Sequence, residues 1–455
     1  MEMVLEFLRD VLSQPALLIG IMSCIGLIAL KRPFHKVMTG TLKPILGYLM
    51  LAAGAGVIVN NLDPLGKMIE HGFHITGVVP NNEAIVAVAQ KVLGVETMSI
   101  LVVGLLMNLC IARFTKFKYV FLTGHHSLFM ACLMSAVLGT AGLSGMELIL
   151  VGGFLMGAWS AISPAIGQSY TSKVTDGDEI AIGHFGSLGY YLSAWVAQYV
   201  GKAEDSTEDI EIPEKWGFLR DSTLSTALTM IVFYLIAAIA AGSEFVSTLS
   251  GDMSPYLYAV MSAMNFAVGV TIVYSGVRMI LGDLIPAFQG IATKIIPNAI
   301  PAVDCAVFFT YAPTAVVLGF LSSFIGGIIG MLILGAVGGV LIIPGLVPHF
   351  FCGATAGIYG NATGGRRGAA VGAFLNGLAI TFLPALALPV LGQLGFQNTT
   401  FGDADFAVMG LVLGNAYEWV GMAGIYGIVA IAALVLIIPN FIKTKGKVIN
   451  YVEED

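Results

Sequence analysis

Long apolar runs separated by short polar segments extend along almost the whole chain. Eleven of these runs approach the roughly 20 residues that an α-helix needs to cross the apolar interior of a bilayer. The pattern predicts an all-α polytopic membrane protein with about 11 transmembrane helices. The predicted spans are 13–30, 44–62, 94–112, 119–140, 144–163, 222–243, 254–275, 301–320, 323–343, 368–392 and 419–440.

The positions of the basic residues predict an orientation. With the N-terminus outside, all but three of the 21 Lys and Arg residues fall in cytoplasmic loops, as the positive-inside rule requires. The exceptions are Arg9, Lys67 and Lys91. Eleven spans then place the C-terminus in the cytoplasm. Because Lys31 and Arg32 follow the first run rather than precede it, we interpret this run as a span and not as a cleaved signal peptide.

Composition supports lipid as the natural solvent. Hydrophobic residues make up 57% of the 455 positions, charged residues 11%, and the mean hydropathy is +0.88. A soluble domain carries about 25% charged residues. The 56 glycines are typical of closely packed membrane helices. No basic stripe indicates nucleic acid, and the five cysteines stand singly, without a CxxC pair that would predict a metal or redox site.

Two apolar stretches fit no simple span. Both 180–200 and 343–365 are interrupted by glycine and small polar residues. We interpret them as re-entrant hairpins, which line substrate cavities in transporters; the alternative is amphipathic helices on the membrane surface. Five spans and one hairpin in each half predict two inverted repeats. The polar segment 201–221 would join the repeats as a cytoplasmic linker.

Asp304 is the ionisable residue that stands out within an apolar segment. It lies in NAIPAVDCAVFFTYAP, at the start of the eighth predicted span, without a neighbouring basic residue. A charge at membrane depth is costly, which makes such a residue a candidate site. Its carboxylate could accept two hydroxyl hydrogen bonds or act as a general base toward a hydroxyl. The alternative is a structural carboxylate stabilised by a helix N-terminus.

Four histidines lie in comparable contexts. His125 and His126 occur in FLTGHHSLF, near the start of the fourth predicted span, and His184 and His349 occur in the two predicted hairpins. Imidazole donates and accepts hydrogen bonds, which suits sugar hydroxyls. One histidine alone is usually structural. For a pair in matching hairpins, a substrate role and a structural role are about equally favoured. Their spacing contains no zinc motif, so no metal site is predicted.

A third candidate segment, GVVPNNEA, lies between the second and third predicted spans. Asn82 and Glu83 precede an apolar stretch there. Asn82 could simply cap a helix in an ordinary loop, or the segment could dip inward and place both side chains on a substrate. Gly54 and Gly56, in LAAGAGV, would permit close approach of backbone or ligand.

Five motifs together resemble those of the ascorbate-specific EIIC permeases of the bacterial phosphotransferase system. They are FLTGHHSLF, TDGDEIAIGHFGS, YSGVRMILGDLIPAFQGI, IPAVDCAVFFTYAPTAVVLGF and IIPGLVPHFFCGATAGIYGNATGG. The similarity extends over essentially the whole chain, in order and with compatible spacing.

The resemblance implies a homodimer in the bacterial inner membrane. A V-shaped dimerisation part would comprise 12–62 and 222–275, that is spans 1, 2, 6 and 7. A substrate-carrying core would comprise 63–200 and 276–440 and move as an elevator. The subunit would need no cofactor. Phosphoryl groups would come from a phosphocysteine on a separate EIIB subunit, supplied in turn by EIIA, HPr and Enzyme I, and would yield L-ascorbate 6-phosphate.

Substrate-binding residues carry over only in part. Gly54, His125, His184 and Asp304 match positions of the family's site. Four positions depart from it: Asn82 and Glu83 stand where the ascorbate permease has Thr-Tyr, and Phe129 and Phe185 stand where it has glutamines. Glu83 beside an ascorbate anion would be unfavourable unless it were protonated or turned away.

Three classes of function therefore follow from the sequence. The first is a group-translocating permease for L-ascorbate, or for another sugar acid or a pentitol. In this class the chain is the transport subunit of a phosphotransferase complex, and the donor cysteine lies on EIIB. The second is a gradient-driven transporter with Asp304 or Glu83 as its proton site. The third is a membrane scaffold or channel, against which the paired hairpins argue.

Overall fold

Helices dominate the architecture. The computed structural model describes residues 11, 14–74, 77–78, 80, 82–177, 180–210, 222–392 and 400–441. In chain order, its elements are α1 (Pro15–Ala29), α2 (Phe34–Gly72), α3 (Asn82–Phe114), β1 (Tyr119–Phe121), α4 (Gly124–Thr140), α5 (Gly145–Ile166), α6 (Gln168–Val174), β2 (Ala181–Ile182), α7 (Ser187–Val200), α8 (Ser222–Ala241), α9 (Ser243–Ser250), α10 (Pro255–Lys294), β3 (Ile300–Val303), a 3₁₀ helix (Cys305–Thr310), α11 (Pro313–Ala336), α12 (Leu346–Gly392), α13 (Ala404–Val420) and α14 (Met422–Phe441).

The prediction of an all-α polytopic membrane protein is confirmed. Within the described residues, seven helices are long and apolar enough to cross a bilayer, or eight if the bent pair formed by α8 and α9 is one span. The outer surface suits lipid, because large apolar side chains on α8, α11 and α14 are more than half exposed. They include Val232, Ile239, Leu332, Ile431 and Phe441.

Individual span boundaries differ from the predicted ones. The predicted eighth and ninth spans, 301–320 and 323–343, are wrong as two helices, because one helix, α11, replaces both. Residues before it form β3 and the 3₁₀ helix, since Pro301 and the chain around it pair in a sheet instead. The predicted fourth span, 119–140, likewise begins as a strand and becomes helical only at Gly124.

The two interrupted segments take forms that apolar patterning alone does not specify. The first is extended through β2 and becomes helical at Ser187. The second is helical from Leu346, breaks at Gly364 and Gly365, and turns back into the remainder of α12. Gly365 has φ +59°, which glycine adopts at little cost. The two segments pack on each other, and the Ser193 hydroxyl donates to the carbonyl of Ala356 at 2.6 Å.

A small buried sheet lies between the two halves of the chain. Its strand order is β1-β3-β2, and both pairings are parallel. At the outer edge of β1, the Asn108 side chain makes the hydrogen bonds that a neighbouring strand would otherwise make. Its Nδ2 donates to the Tyr119 carbonyl, and its Oδ1 accepts from the Phe121 N–H. At β2, Gln168 Nε2 donates to the Ile180 carbonyl. Side-chain amides thus pair edge groups that lipid cannot satisfy.

Helices α2 and α10 cross at glycine contacts. A Cβ atom on Gly54 would lie 2.8 Å from the Gly269 carbonyl oxygen and 2.8 Å from the Val273 nitrogen. A Cβ on Gly276 would meet the Gly47 carbonyl at 2.6 Å. Backbones can approach this closely only because neither helix carries side chains there, as in other membrane helix pairs.

These contacts predict the effect of adding one methyl group at Gly54. Gly54→Ala should force α2 and α10 apart and destabilise the protein by about 1–3 kcal/mol, the usual cost of overpacking. Thermal unfolding in detergent measures the effect. Gly56→Ala is the matched control, because a Cβ at Gly56 has no neighbour within 4 Å. Equal melting temperatures for the two variants would contradict the crossing contact.

Candidate substrate site

The three strands of the buried sheet end at one place. Because the strands are parallel, their carboxyl ends lie at the same edge of the sheet. His125 and His126 follow β1 at the start of α4, His184 follows β2, and Asp304 follows β3. Gly183 allows the approach of β2, since a Cβ there would lie 2.4 Å from the Ala302 carbonyl oxygen. Residues far apart in sequence thus meet in one site.

His125 connects the site to α2. Its Nε2 lies 3.4 Å from an oxygen of Asp304, and its Nδ1 shares a 3.1 Å hydrogen bond with the hydroxyl of Tyr48. The second Asp304 oxygen accepts the N–H of Ala306 at 3.0 Å and so caps the 3₁₀ helix. Asp304 therefore caps a helix, which is one of the two alternatives that the sequence left open, while its other oxygen faces a histidine of the candidate site.

His126 and His184 lie against each other in the site, with ring centroids 3.8 Å apart and the ring planes tilted by 48°. The backbone N–H of Phe185 donates to His126 Nδ1 at 3.3 Å, and the N–H of Gly186 donates to His184 Nδ1 at 3.1 Å. The Tyr190 hydroxyl is also 2.8 Å from His184 Nδ1. A nitrogen that accepts an N–H carries no proton itself. Each neutral ring therefore has its proton on Nε2, where it can serve as a donor.

A second cluster joins the site and includes Asp403, which sequence reasoning missed. His184, Cys352 and Asp403 are all buried, and their ligand atoms lie within 4.8 Å of one another. The Cys352 thiol donates to Asp403 Oδ1 at 2.6 Å, and the Asn82 amide donates to Asp403 Oδ2 at 2.5 Å. His125, His126 and Asp304 form a comparable group. Such donor sets suit hydroxyls and also metal ions, which sequence spacing did not reveal.

Asp405 is the second carboxylate that the sequence did not single out. It is fully buried and accepts three hydrogen bonds: from the Leu188 N–H at 2.9 Å, the Ser187 hydroxyl at 2.8 Å and Trp159 Nε1 at 3.2 Å. The carboxylate therefore caps the N-terminus of α7. It ties α7 to α13 and α5, and so supports His184, which lies just before α7.

The remaining predicted residues lie at different distances from the site. Phe129 contacts the cavity together with His125. Gly54 belongs to the helix crossing and is not among the residues that line the cavity. The Phe185 side chain is fully buried and stacks on Phe121, with ring centroids 4.6 Å apart. Glu83 lies in the first turn of α3, and its side chain is outside the described part of the structure.

The other histidine of the predicted hairpins, His349, does not join the site. Its Nδ1 shares a 2.9 Å hydrogen bond with the Ser323 hydroxyl, and its ring packs where a Cβ on Gly327 would stand. This arrangement joins α12 to α11. His349 is therefore a packing residue in the described structure, and only His184 represents the paired-histidine hypothesis at the cavity.

A cavity of about 1130 Å³ leads to these clusters. At one end it is bounded by His125, His126, His184, Asp304 and Asp403, and toward the end of α2 by Asp63, Lys67, Glu70 and Phe73. Helices α4, α7 and α13 and the 3₁₀ helix all begin beside the clusters. Helix N-termini carry partial positive charge, which offsets the carboxylates. The site can thus offer imidazole and backbone donors together with carboxylate acceptors.

The chain matches the model of one protein family over residues 10–405. That family is described as the PTS system sugar-specific permease component. The chain belongs to this family. The chain is also similar to the ascorbate-specific PTS system EIIC component of Mycoplasma pneumoniae, with 27% identity over 417 aligned positions. The match covers 78% of this chain and 62% of the relative, so the chain spans less than two thirds of that protein.

The environment of Asp405 gives a prediction about stability. Asp405→Ala leaves three buried donors without their acceptor, and each unsatisfied donor costs about 1–3 kcal/mol. We expect destabilisation by about 3 kcal/mol or more, measured by thermal unfolding in detergent. Asp283→Ala serves as the control, because Asp283 only approaches Lys43 at 3.7 Å on a partly exposed surface. If both variants melted like the wild type, the capping role of Asp405 would be excluded.

Proposed function

We propose that the protein is the EIIC subunit of a phosphotransferase system for L-ascorbate, in the inner membrane of a bacterium. The observation that carries this proposal is the grouping of His125, His126, His184 and Asp304 at the end of one large cavity. The family is that of PTS sugar permeases, and the name of the Mycoplasma pneumoniae relative supports ascorbate as the substrate. The proposed orientation has the N-terminus outside and the C-terminus in the cytoplasm.

The chemistry of the site suits ascorbate in two ways. Ascorbate is an anion with an ionised enediol and a side chain that carries two hydroxyls. The Nε2–H group of His126 and the neighbouring helix N-termini would donate to the enediolate. Asp304 would accept a hydrogen bond from a hydroxyl of the substrate. The imidazoles would hold the substrate in the position that this bond needs.

Phosphoryl transfer would couple uptake to a chemical step. A phosphocysteine on EIIB transfers its phosphoryl group to a substrate hydroxyl: the S–P bond breaks, an O–P bond forms, and the hydroxyl proton passes to the Asp304 carboxylate acting as general base. The product, L-ascorbate 6-phosphate, carries added charge and cannot return. EIIA, HPr and Enzyme I would recharge EIIB.

An elevator movement fits the way the helices group. Helices α1, α2, α8 and α10 include the predicted V-shaped dimerisation part, 12–62 and 222–275. They hold together through the glycine crossing and through the Tyr234 hydroxyl, which donates to the Asn61 carbonyl at 2.5 Å. The site residues belong instead to the predicted core, 63–200 and 276–440. The Tyr48–His125 hydrogen bond connects the two parts and would have to break when the core moves.

EIIB would dock on the cytoplasmic ends of the core. Residues 201–210 of the predicted linker 201–221 are described, and this part contacts the core: the Arg366 N–H donates to the Asp205 carbonyl at 2.8 Å. The rest of the linker lies outside the described residues. Glu208 also accepts two backbone N–H groups at the start of α11. Lys202, Arg366 and Arg367 are exposed around this contact. Their positive charges would attract a phosphorylated partner.

Reconstituted vesicles test the coupling. L-Ascorbate uptake should require phosphorylated EIIB and continue in the presence of an uncoupler, because the phosphoryl group supplies the free energy. Radiolabelled substrate measures uptake, and mass spectrometry identifies the phosphorylated product. The alternative is a proton-coupled transporter that uses the Asp304–His125 pair. Uptake that collapses with the uncoupler and ignores EIIB would establish that alternative.

Asp304→Asn tests the role of the carboxylate. The amide oxygen can still accept the Ala306 N–H, so the 3₁₀ helix should remain capped. A hydrogen bond to a charged group contributes about 1.5–3 kcal/mol, so L-ascorbate should bind about 10- to 100-fold more weakly in calorimetry. EIIB-dependent uptake should fall further, because the general base is lost. Asp283→Asn is the control. Unchanged affinity and uptake would make Asp304 a purely structural residue.

A further inference from the structure

We propose that Asp403 is a second substrate-binding carboxylate and that, with His184, it forms a subsite for a hydroxyl-bearing part of the substrate. This subsite is separate from the His125–Asp304 pair, and nothing in the sequence pattern assigns it. The proposal relies on the proposed function only for the ligand used to test it. Its foundation is the position and the hydrogen bonding of one aspartate.

Asp403 stands at a helix terminus but does not cap the helix. It occupies the N-cap position of α13, where aspartate normally accepts a backbone N–H of the first turn, yet its side chain makes no such bond. Asp304, in the equivalent position before the 3₁₀ helix, does cap. The Asp403 carboxylate thus does not make the capping bond that its position would explain. It faces the cavity instead.

Two side chains hold the carboxylate in this orientation. Asn82 donates to Oδ2 and Cys352 donates to Oδ1, each over a short distance. Asn82 is itself fixed, because its Oδ1 accepts the N–H of Gly402 at 2.9 Å. Asn82 is therefore a positioning residue for Asp403, a role that was not expected for it from the sequence.

The carboxylate keeps capacity for a ligand. Each carboxylate oxygen can accept about two hydrogen bonds, and the described contacts use one on each oxygen. Asp403 is only 4% exposed, so water would compete weakly there. His184 lies in the same cluster and offers its Nε2–H. A hydroxyl that donates to Asp403 and accepts from His184 would satisfy both groups.

The charges around the cavity indicate which part of a substrate this subsite suits. Among the described residues that line the cavity, the acidic side chains are Asp63, Glu70, Asp304 and Asp403, and the basic side chain is Lys67. Lys67 lies 2.8 Å from Asp63. Repulsion disfavours an anionic group beside Asp403. The structure assigns to this subsite an uncharged hydroxyl, such as one hydroxyl of a sugar-acid side chain or of a pentitol.

Binding calorimetry on the purified full-length protein tests the subsite. The ligands are L-ascorbate and its 5-deoxy and 6-deoxy analogues. Asp403→Asn should weaken L-ascorbate binding about 10- to 100-fold. The wild type should bind at least one deoxy analogue more weakly than L-ascorbate. Asp403→Asn should bind that analogue and L-ascorbate equally well. The protein substitution and the missing hydroxyl each remove the same hydrogen bond, so their effects should not add in a double-mutant cycle.

A reciprocal double variant separates binding from structure. In Asn82→Asp with Asp403→Asn, the amide at 403 can donate to the carboxylate at 82, which still accepts the Gly402 N–H, and Cys352 can still donate to the amide oxygen. The double variant should therefore melt like the wild type and remain weak in binding. Asp283→Asn controls for the aspartate-to-asparagine change itself and should bind normally.

Three outcomes overturn the proposal: normal affinity in Asp403→Asn, full recovery of affinity in the double variant, or additive effects of both deoxy analogues with Asp403→Asn. Failure of the proposed substrate is a different result. A wild type that ignores L-ascorbate but binds xylitol would contradict ascorbate as the substrate. The same variants tested with xylitol would then decide the role of Asp403 by the same criteria.

Discussion

The site depends on one constraint: extended backbone inside a membrane protein must find all its hydrogen bonds within the protein. β3 meets it by pairing with β1 on one side and β2 on the other. The edge groups are completed by the side-chain amides of Asn108 and Gln168. A shift of one residue in either pairing would leave buried N–H and C=O groups unpaired. The register is therefore fixed, and with it the positions of the residues that follow the strands.

Three aspartates near helix starts have different roles, which depend on the groups around each carboxylate. Asp304 caps its helix and faces His125, Asp405 caps the neighbouring helix α7, and Asp403 caps nothing. The difference arises from what surrounds each carboxylate. Asp405 accepts the backbone N–H of Leu188 in the first turn of α7, whereas the described hydrogen-bond donors to Asp403 are the side chains of Asn82 and Cys352. Side-chain donors hold a carboxylate in place without using the helix terminus, and they leave it directed at the cavity.

The sequence predicted the membrane class and much of the site. His125, His184 and Asp304 are recognisable because polar groups in apolar segments are costly, and they do line the cavity. Strands of two to four residues are too short for periodicity to indicate, so the pairing that unites these residues could not be predicted. Asp403 was missed because it lies between two predicted spans, where a carboxylate looks ordinary. Gly54 looked like a binding residue, but a close backbone approach serves helix packing equally well.

Phe129 and Phe185, which stand where the resemblance implies glutamines, lie in different surroundings. Phe185 directs its side chain into an aromatic cluster with Phe121 and Phe406. Its backbone N–H still fixes His126, so the histidine geometry does not depend on an amide at this position. Phe129 does face the cavity, and there the change removes a donor and an acceptor and adds an apolar surface. In the proposed site, imidazoles, helix N-termini and carboxylates would make the polar contacts. Such a site selects ligands by the placement of their hydroxyls, because neutral imidazoles and carboxylates together pair best with groups that both donate and accept.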